Sequence, residues 1–288
     1  MTATVRAQRD YGDEHRWMDL EVPADFVAPE PGQFVQILLA SPSAVLLPRP
    51  MSVAAVTGRG RTRTLGFLYA PVGAGTRILA GLEPGASVEV LGPLGHGFPL
   101  EREGLPILIA GGRGVAPLLF AAERLAARGR KAEFLFGARS ERQLVGLADA
   151  RGRLTRSGGR LHLCTDDGSR GARGNVVELL DRLAPRLGGE RNGERAARVI
   201  HACGPHAMLA AVARWGMRHR VPAFLAMESV MACGTGVCRG CPLPRSAPSR
   251  AAFDPDRTPS LHGNREFAMC CTEGPVFEAH DLDWDHVE

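Results

Sequence analysis

Residues 106–127 read Pro106-Ile-Leu-Ile-Ala110, then Gly111-Gly112-Arg113-Gly114-Val115-Ala116-Pro117, then Leu118-Leu-Phe-Ala-Ala-Glu-Arg-Leu-Ala-Ala127. The opening apolar run is the pattern of a strand buried on both faces, and the closing stretch repeats at helical spacing. A glycine-rich turn between such a strand and a helix leaves free backbone N–H groups at the helix N-terminus, where a phosphate binds. The turn falls short of a full Gly-x-Gly-x-x-Gly fingerprint, so alone it marks a nucleotide site only weakly. Apolar runs recur at 132–136, 160–164 and 198–202, with helical stretches at 176–183 and 206–214. Strand and helix in alternation predict a doubly wound parallel sheet. Thr165-Asp166-Asp167-Gly168-Ser169 and Cys203-Gly204-Pro205 each come after a strand, and so fall at the same carboxyl edge as the glycine turn. The polar segment 188–195 is expected to be an exposed loop.

The first hundred residues have a different texture. Short β-type segments at 33–39, 51–56, 64–69 and 87–91 are punctuated by Pro31-Gly32, Gly58, Gly60 and Pro84-Gly85. Closely spaced strands with little helix between them predict an antiparallel barrel or sandwich. Within this half, Leu47-Pro-Arg49-Pro50-Met51-Ser52 sets an arginine fork beside rigid prolines, and Gly73-Ala-Gly75-Thr76 offers backbone N–H groups and a hydroxyl. Together they could hold two phosphates of a nucleotide. Spacing alone does not separate that reading from an ordinary strand end and turn.

From about Ala226 the alternation stops and cysteines crowd in. Cys233-Gly-Thr-Gly-Val-Cys238-Arg-Gly-Cys241 leaves four residues between its first pair and two between its second. That is the plant-type spacing for a 2Fe-2S cluster. Gly234, Gly236 and Gly240 let the loop turn tightly and aim N–H groups at sulfur. Downstream, Cys270 and Cys271 are both open as the fourth ligand. A structural zinc site would favour two Cys-x2-Cys knuckles, and only one is present. Inert buried thiols are the remaining alternative there, and the natural reading of the isolated Cys164 and Cys203. A tail of this composition buries little core alone, so a metal centre is expected to staple it.

Composition sets the outer limits. The chain has 288 residues, of which 44% are hydrophobic and 23% charged, which fits about two globular domains with an appendage. No apolar run approaches the length of a membrane span, and the start lacks the apolar core of a signal peptide, so a cytoplasmic protein is expected, with disulfides unlooked for. Net charge is +4, yet Lys131 is the one lysine and the arginines are spread along the chain. With aromatics at 6%, no base-stacking surface is expected, and neither nucleic acid nor membrane is an expected partner.

In this order, Arg49-Pro50-Met51-Ser52, Gly75-Thr76, Gly92-Pro-Leu-Gly95, the 111–117 turn, Thr165–Ser169, Cys203-Gly-Pro205 and Met231-Ala-Cys233-Gly resemble the ferredoxin-reductase superfamily. More narrowly, the chain resembles the electron-transfer subunits of type B dihydroorotate dehydrogenases over nearly its whole length. Its ending Cys271-Thr-Glu-Gly-Pro-Val-Phe277 is similar to that family's Cys-x-Asp-Gly-Pro-Val-Phe. The resemblance implies a multidomain chain: an antiparallel FAD-binding β-barrel over 1–102, an NAD-binding α/β parallel-sheet domain over 103–225, and a small 2Fe-2S domain over 226–288. It implies that Arg49 meets the FAD phosphates with Pro50, Met51 and Ser52 beside the flavin. Leu68 and Tyr69 would flank the ring, and Gly75 and Thr76 would hold pyrophosphate. Gly111, Gly112, Gly114 and Asp167 would serve NAD(H), and Cys233, Cys238, Cys241 and Cys271 the cluster. Three features depart from the family pattern: Arg113 in place of an aliphatic residue, Ala70 in place of a basic one, and a longer gap between Cys241 and Cys271. The Pro/Arg/Ser-rich insert responsible, 242–264, is read as a flexible loop in preference to a partner contact.

Electron counts then order the cofactors. Nicotinamide exchanges a hydride, an iron–sulfur cluster one electron, and FAD either, so FAD belongs between them and no catalytic side chain is required. The implied partner is a dihydroorotate-oxidising catalytic flavoprotein subunit, in a heterotetramer serving pyrimidine (UMP) synthesis. The alternatives are the same module in a hydrogenase-type or ferredoxin:NADPH complex, or a zinc-stabilised nucleotide-binding regulator. Arg139-Ser140, after a predicted strand, leaves NADP open beside NAD.

Overall fold

The computed structural model describes residues 1–39, 45–58, 62–187, 190–191, 194–195 and 197–287. Gly60 and much of the 188–195 segment lie outside the described residues.

In the N-terminal half, β1 (Thr2–Gly12), β2 (His15–Pro23), β3 (Phe34–Leu38), β4 (Arg49–Ser52), β5 (Ala55–Thr57), β6 (Thr62–Tyr69) and β7 (Ser87–Leu94) form one antiparallel sheet in the order β4-β3-β7-β1-β2-β6-β5. Alternate residues such as Val5, Met18, Leu20, Val35, Ile37, Leu65 and Phe67 point inward and are fully buried, as the period of two requires. The run expected to be one strand at 51–56 is two. Val53 N–H donates to the Gln33 carbonyl at 3.2 Å and Ala54 N–H to the Gly66 carbonyl at 2.8 Å. These two residues carry the chain from one edge strand, β4, to the other, β5, so the two ends of the sheet are joined by consecutive residues. A short helix, α1 (Ala74–Ala80), precedes β7.

The second half holds β8 (Leu105–Gly111), α2 (Val115–Ala127), β9 (Glu133–Ala138), α3 (Leu147–Ser157), β10 (Arg160–Thr165), β11 (Ala172–Arg173) and α4 (Val176–Leu183). A small hairpin of β12 (Glu190–Arg191) and β13 (Glu194–Arg195) leads to β14 (Arg198–Cys203), α5 (His206–His219) and β15 (Ala223–Ala226). Strands β11-β10-β9-β8-β14-β15 run parallel in that order. On β8, Ile107 and Ile109 enter one core and Leu108 and Ala110 another, which is why its sequence is apolar without alternation. Helix α4 starts on Asn175, whose side chain accepts from the N–H groups of Val177 and Glu178 at 3.0 Å.

Glu133, buried on β9, accepts from Arg160 Nε at 2.8 Å and pairs with His162 Nε2 at 2.7 Å. Burial works to raise its pKa, but the bonds to His162 and Arg160 win and hold it below the usual carboxylate value. A depressed pKa contributes stability above the unfolded-state value that is lost as pH falls through the folded one. Glu133→Gln should therefore cost roughly 1–3 kcal/mol near neutral pH and less in acid, measured by denaturant melts at both.

The C-terminal segment follows β15. Its elements are β16 (Pro242–Pro244), α6 (Ala247–Ala252), β17 (Phe267–Met269) and β18 (Val276–Glu278). It shares a core with the sheet: β18 pairs antiparallel with β15, extending the parallel sheet. Leu243, Met269, Cys270, Phe277 and Trp284 are buried in one cluster with Ile107, Ile200, Trp215 and Leu225. Too few apolar residues to close a core become enough when an existing sheet edge is covered. The 242–264 insert differs from a flexible loop, since it carries β16 and α6. Buried Arg245 ties it down, pairing with Glu273 and donating to the Asn264 carbonyl at 2.8 Å. Among the described residues no helix is long and apolar enough to cross a membrane.

Candidate functional site

Two neighbouring cavities and the cysteine loop make up the site. The first cavity, about 490 Å³, lies at the carboxyl edge of the parallel sheet. Gly111, Gly112 and Gly114 line it after β8, Arg139 after β9, Asp166 after β10, and Gly204 and Pro205 after β14. The glycines are there for space: a Cβ on Gly114 would stand 2.2 Å from the Cys203 carbonyl oxygen. Asp167 does not line the cavity. Its Oδ1 accepts from the Ser169 N–H at 2.9 Å and hydroxyl at 2.6 Å, and these bonds lower its pKa. The neighbouring Asp166 faces the cavity instead.

Asp13 and His15 also line this cavity, reaching over from the β1–β2 turn of the barrel. No motif in the sequence marks them. The nearest trace of their role is backbone: Asp13 and Glu14 have φ of 46° and 60°, a left-handed conformation that non-glycine residues seldom adopt.

The second cavity, about 250 Å³, opens where the barrel meets the sheet. Pro50, Met51, Ser52, Leu68, Tyr69 and Thr76 line it; Arg49 and Gly75 stand behind them. Arg49 Nε and Nη2 donate to the carbonyls of Pro48 and Leu47 at 2.9 and 2.7 Å, and a Cβ on Gly75 would lie 2.6 Å from Nη1. Glycine at that position is what lets the guanidinium lie over the first turn of α1. The lining of the second cavity also includes Cys203, Met227, Ser229, Met231 and Pro275; Cys203, Met231 and Pro275 fall in motifs quoted above and Met227 and Ser229 in none, and no motif assigned any of them this role. Burial pushes the Cys203 thiol well above its ordinary value, in keeping with an unreactive lining residue. Arg113 and Glu228 line both cavities.

Met231 leads directly into the cysteine loop. Thr235 and Cys238 N–H groups each donate to Cys233 Sγ at 3.4 Å, and Gly240 N–H donates to Cys238 Sγ at 3.4 Å. Gly234 and Gly236, with φ of 74° and 83°, make the curl possible. Burial tends to raise the Cys233 pKa, but the N–H groups of Cys238 and Thr235 outweigh it and bring the thiol to about 6. Cys271 Sγ lies 3.3 Å from Cys241 Sγ; the contact lowers Cys241 to about 7 and raises Cys271. Cys270 points the other way, fully buried, with Sγ 3.8 Å from the Met227 carbonyl and its pKa raised by burial. Among the described residues no group of three or more His, Cys, Asp or Glu side chains stands ready to hold a metal ion. The donor set nonetheless suits an iron–sulfur cluster: soft thiols, two of them already together, on a loop whose N–H groups already point at sulfur.

Residues 108–214 match the model of the oxidoreductase NAD-binding domain. In solved structures the chain is similar to an NADH-dependent reduced ferredoxin-NADP oxidoreductase, with a TM-score of 0.79 and 23% identity, over 99% of this chain and 91% of that one. It is also similar to the flavohem-like FAD/NAD-binding domain of a nitric oxide dioxygenase from Vibrio cholerae, with a TM-score of 0.62 and 20% identity, over 76% and 93%. These two likenesses show the fold. Sequence relatives are nearer: the dihydroorotate dehydrogenase B (NAD(+)) electron transfer subunit of Geobacillus kaustophilus is 32% identical, over 88% of this chain and 86% of the relative. That of Desulforamulus reducens is 31% identical, over 93% and 92%. On identity of 31–32% over most of both chains, the chain belongs to the family of dihydroorotate dehydrogenase B (NAD(+)) electron transfer subunits.

Proposed function

We propose that the chain carries electrons between a dihydroorotate-oxidising catalytic subunit and NAD+, by way of a 2Fe-2S cluster on Cys233, Cys238, Cys241 and Cys271 and an FAD in the second cavity, in pyrimidine (UMP) synthesis. The chain is an NAD-linked FAD oxidoreductase subunit; the cluster, the substrate and the partner belong to the proposal. FAD, when bound, supplies exchange of a hydride with nicotinamide and of single electrons with the cluster. The observation that carries the reading is the common wall. Arg113 and Glu228 face both cavities, so a dinucleotide in the first can present its ring to a flavin in the second. Met227, Ser229 and Met231 then continue that wall toward Cys233.

The residues supply binding and orientation. Gly111, Gly112 and Gly114 leave room at the start of α2 for the phosphates of NAD(H), and Asp166, with Asp167 holding its turn, edges the ribose side. Pro50, Met51, Ser52, Leu68 and Tyr69 shape the flavin slot, with Arg49, Gly75 and Thr76 at its phosphate end. The three functional units are 1–102, 103–225 and 226–288, the last sharing the sheet of the second. The partner is the catalytic flavoprotein subunit, in a heterotetramer. Anaerobic titration with NADH tests the scheme: flavin absorbance should bleach and a reduced-cluster resonance should appear, and a flavin that stays oxidised sinks it.

Arg113→Leu is expected to weaken NADH binding roughly tenfold, the effect of losing one charge-assisted hydrogen bond. Equilibrium titration of the flavin-loaded chain measures it. A second reading places the module in a hydrogenase-type or ferredoxin:NADPH complex. Arg139, at the first cavity after β9, favours it because a 2′-phosphate could meet its guanidinium. NADPH reducing the flavin faster than NADH would support that reading.

A further inference from the structure

Gln36, in the middle of β3, is wholly buried, and neither Oε1 nor Nε2 has a hydrogen-bond partner among the described residues. A buried amide is normally paired, because leaving it unpaired forfeits its bonds to water without replacement. Its neighbours on the strand show which way it faces. Val35 and Ile37 belong to the barrel core, whereas Phe34 belongs to the core shared with Cys241, Cys270 and Cys271 and also lines the second cavity. The Gln36 side chain lies against the cysteine loop. A Cβ on Gly234 would stand 2.5 Å from Nε2, 2.8 Å from Cγ and 3.0 Å from Cδ. Gly234 directly follows Cys233, and its lack of a side chain admits so close an approach. The barrel therefore presses one unsatisfied amide onto the loop that carries the first cysteine.

We infer that Gln36 is a hydrogen-bond donor to the iron–sulfur cluster, its unpartnered Nε2–H serving an inorganic sulfide of the cluster beside the Cys233 loop. This rests on the cluster reading of the cysteines. Donors to cluster sulfurs stabilise the more negative, one-electron-reduced form and so favour reduction. The loop's own N–H groups at Thr235, Cys238 and Gly240 do this from within the C-terminal segment. Gln36 does it from the barrel, which makes the electron affinity of the cluster depend on how the flavin domain is docked. Its role is to position and tune; no bond is made or broken at the amide.

The experiment uses the full chain loaded with FAD and cluster. Redox titration followed by electron paramagnetic resonance compares wild type with Gln36→Met, which keeps the length and removes the donor. Gln36→Met should shift the cluster's reduction equilibrium roughly tenfold toward the oxidised form, the scale of one hydrogen bond, and leave the flavin equilibrium in place. Gln36→Glu, an acceptor at the same length, should shift it at least as far. A readout that needs no variant uses side-chain 15N glutamine, of which the chain has four. Pulsed resonance on the reduced wild-type cluster should show coupling to one 15N nucleus, and this stands alone if Gln36→Met does not fold. Unchanged equilibria with no 15N coupling in a fully loaded cluster would mean the amide is satisfied by water, overturning the role of Gln36 and leaving the cluster intact. Wild type without iron or labile sulfide after anaerobic reconstitution would overturn the cluster reading, and this inference with it.

Discussion

Cys271→Ser is expected to empty the chain of iron and labile sulfide, whereas Cys270→Ala keeps both. The two cysteines are adjacent in sequence, and the turn after β17 sends them in opposite directions. Cys271 faces Cys241 across 3.3 Å, while Cys270 is fully buried beside the Met227 carbonyl. Removing a soft thiolate from a cluster leaves an iron without its ligand, and a serine hydroxyl is a poor substitute for it. Electron transfer to a partner or artificial acceptor that depends on the cluster should fall by roughly a hundredfold or more, while NADH still bleaches the flavin. Cys270→Ala removes one sulfur from a core and should cost about 1–2 kcal/mol of stability, seen as a lower melting temperature with a normal cluster spectrum. Metal and sulfide analysis of both variants decides the matter. The reverse pattern would move the fourth ligand to Cys270 and require the turn to reorient.

Much of this arrangement was legible in the residues, for reasons that differ from element to element. The strand at 160–164, the helix Val176–Leu183 and the glycine turn at Gly111–Gly114 stand where their patterns put them, because each pattern records burial against one neighbouring layer. Helix α3 gave no such pattern. Only Ala150, Arg153 and Leu154 are buried along Leu147–Ser157, and in so polar and arginine-rich a segment that short buried stripe did not stand out as a helix. The pairing of β18 with β15 was hidden too, since three residues near the chain end carry no sign of the sheet they will join.

At the site, a local motif marked local geometry and no more. The cysteine spacing announced a curled loop, and the motifs at Arg49 and Gly75 marked two segments that the structure brings into contact, a contact neither motif announced. What could not be read was anything contributed across a domain boundary. Asp13 and His15 come from a hairpin about a hundred residues ahead of the glycine turn they face, and Gln36 meets Gly234 from nearly two hundred residues away. Asp167, nearer to the motif, was displaced by a detail of turn chemistry: its carboxylate caps Ser169 and leaves the cavity to Asp166. Long-range neighbours depend on how two folded units dock, and sequence periodicity describes only one unit at a time.

Gly114→Ala tests that docking within the sheet and should cost more function than any single change in the first cavity's side chains. The φ of Gly114 is −60°, which alanine adopts freely, so backbone conformation is no obstacle. Space is. The new methyl carbon would stand 2.2 Å from the Cys203 carbonyl oxygen, 2.3 Å from its carbon and 2.5 Å from Gly204 N, all of them backbone atoms that no rotamer change can clear. The loops after β8 and β14 must then part, and both line the first cavity. A displacement of about 1 Å in groups that position a reacting ring costs on the order of a hundredfold in rate. NADH-driven flavin reduction should therefore drop by about a hundredfold, with the melting temperature also lowered. Dithionite, which needs no nucleotide site, should still reduce flavin and cluster. Gly152→Ala provides the control: it sits in α3 with nothing within 4 Å of the added carbon and should stabilise by roughly 0.5–1 kcal/mol without touching either rate. Stopped-flow reduction by NADH and by dithionite separates the cases. A Gly114→Ala chain that folds and keeps its NADH rate would mean that the dinucleotide does not use the turn between β8 and α2.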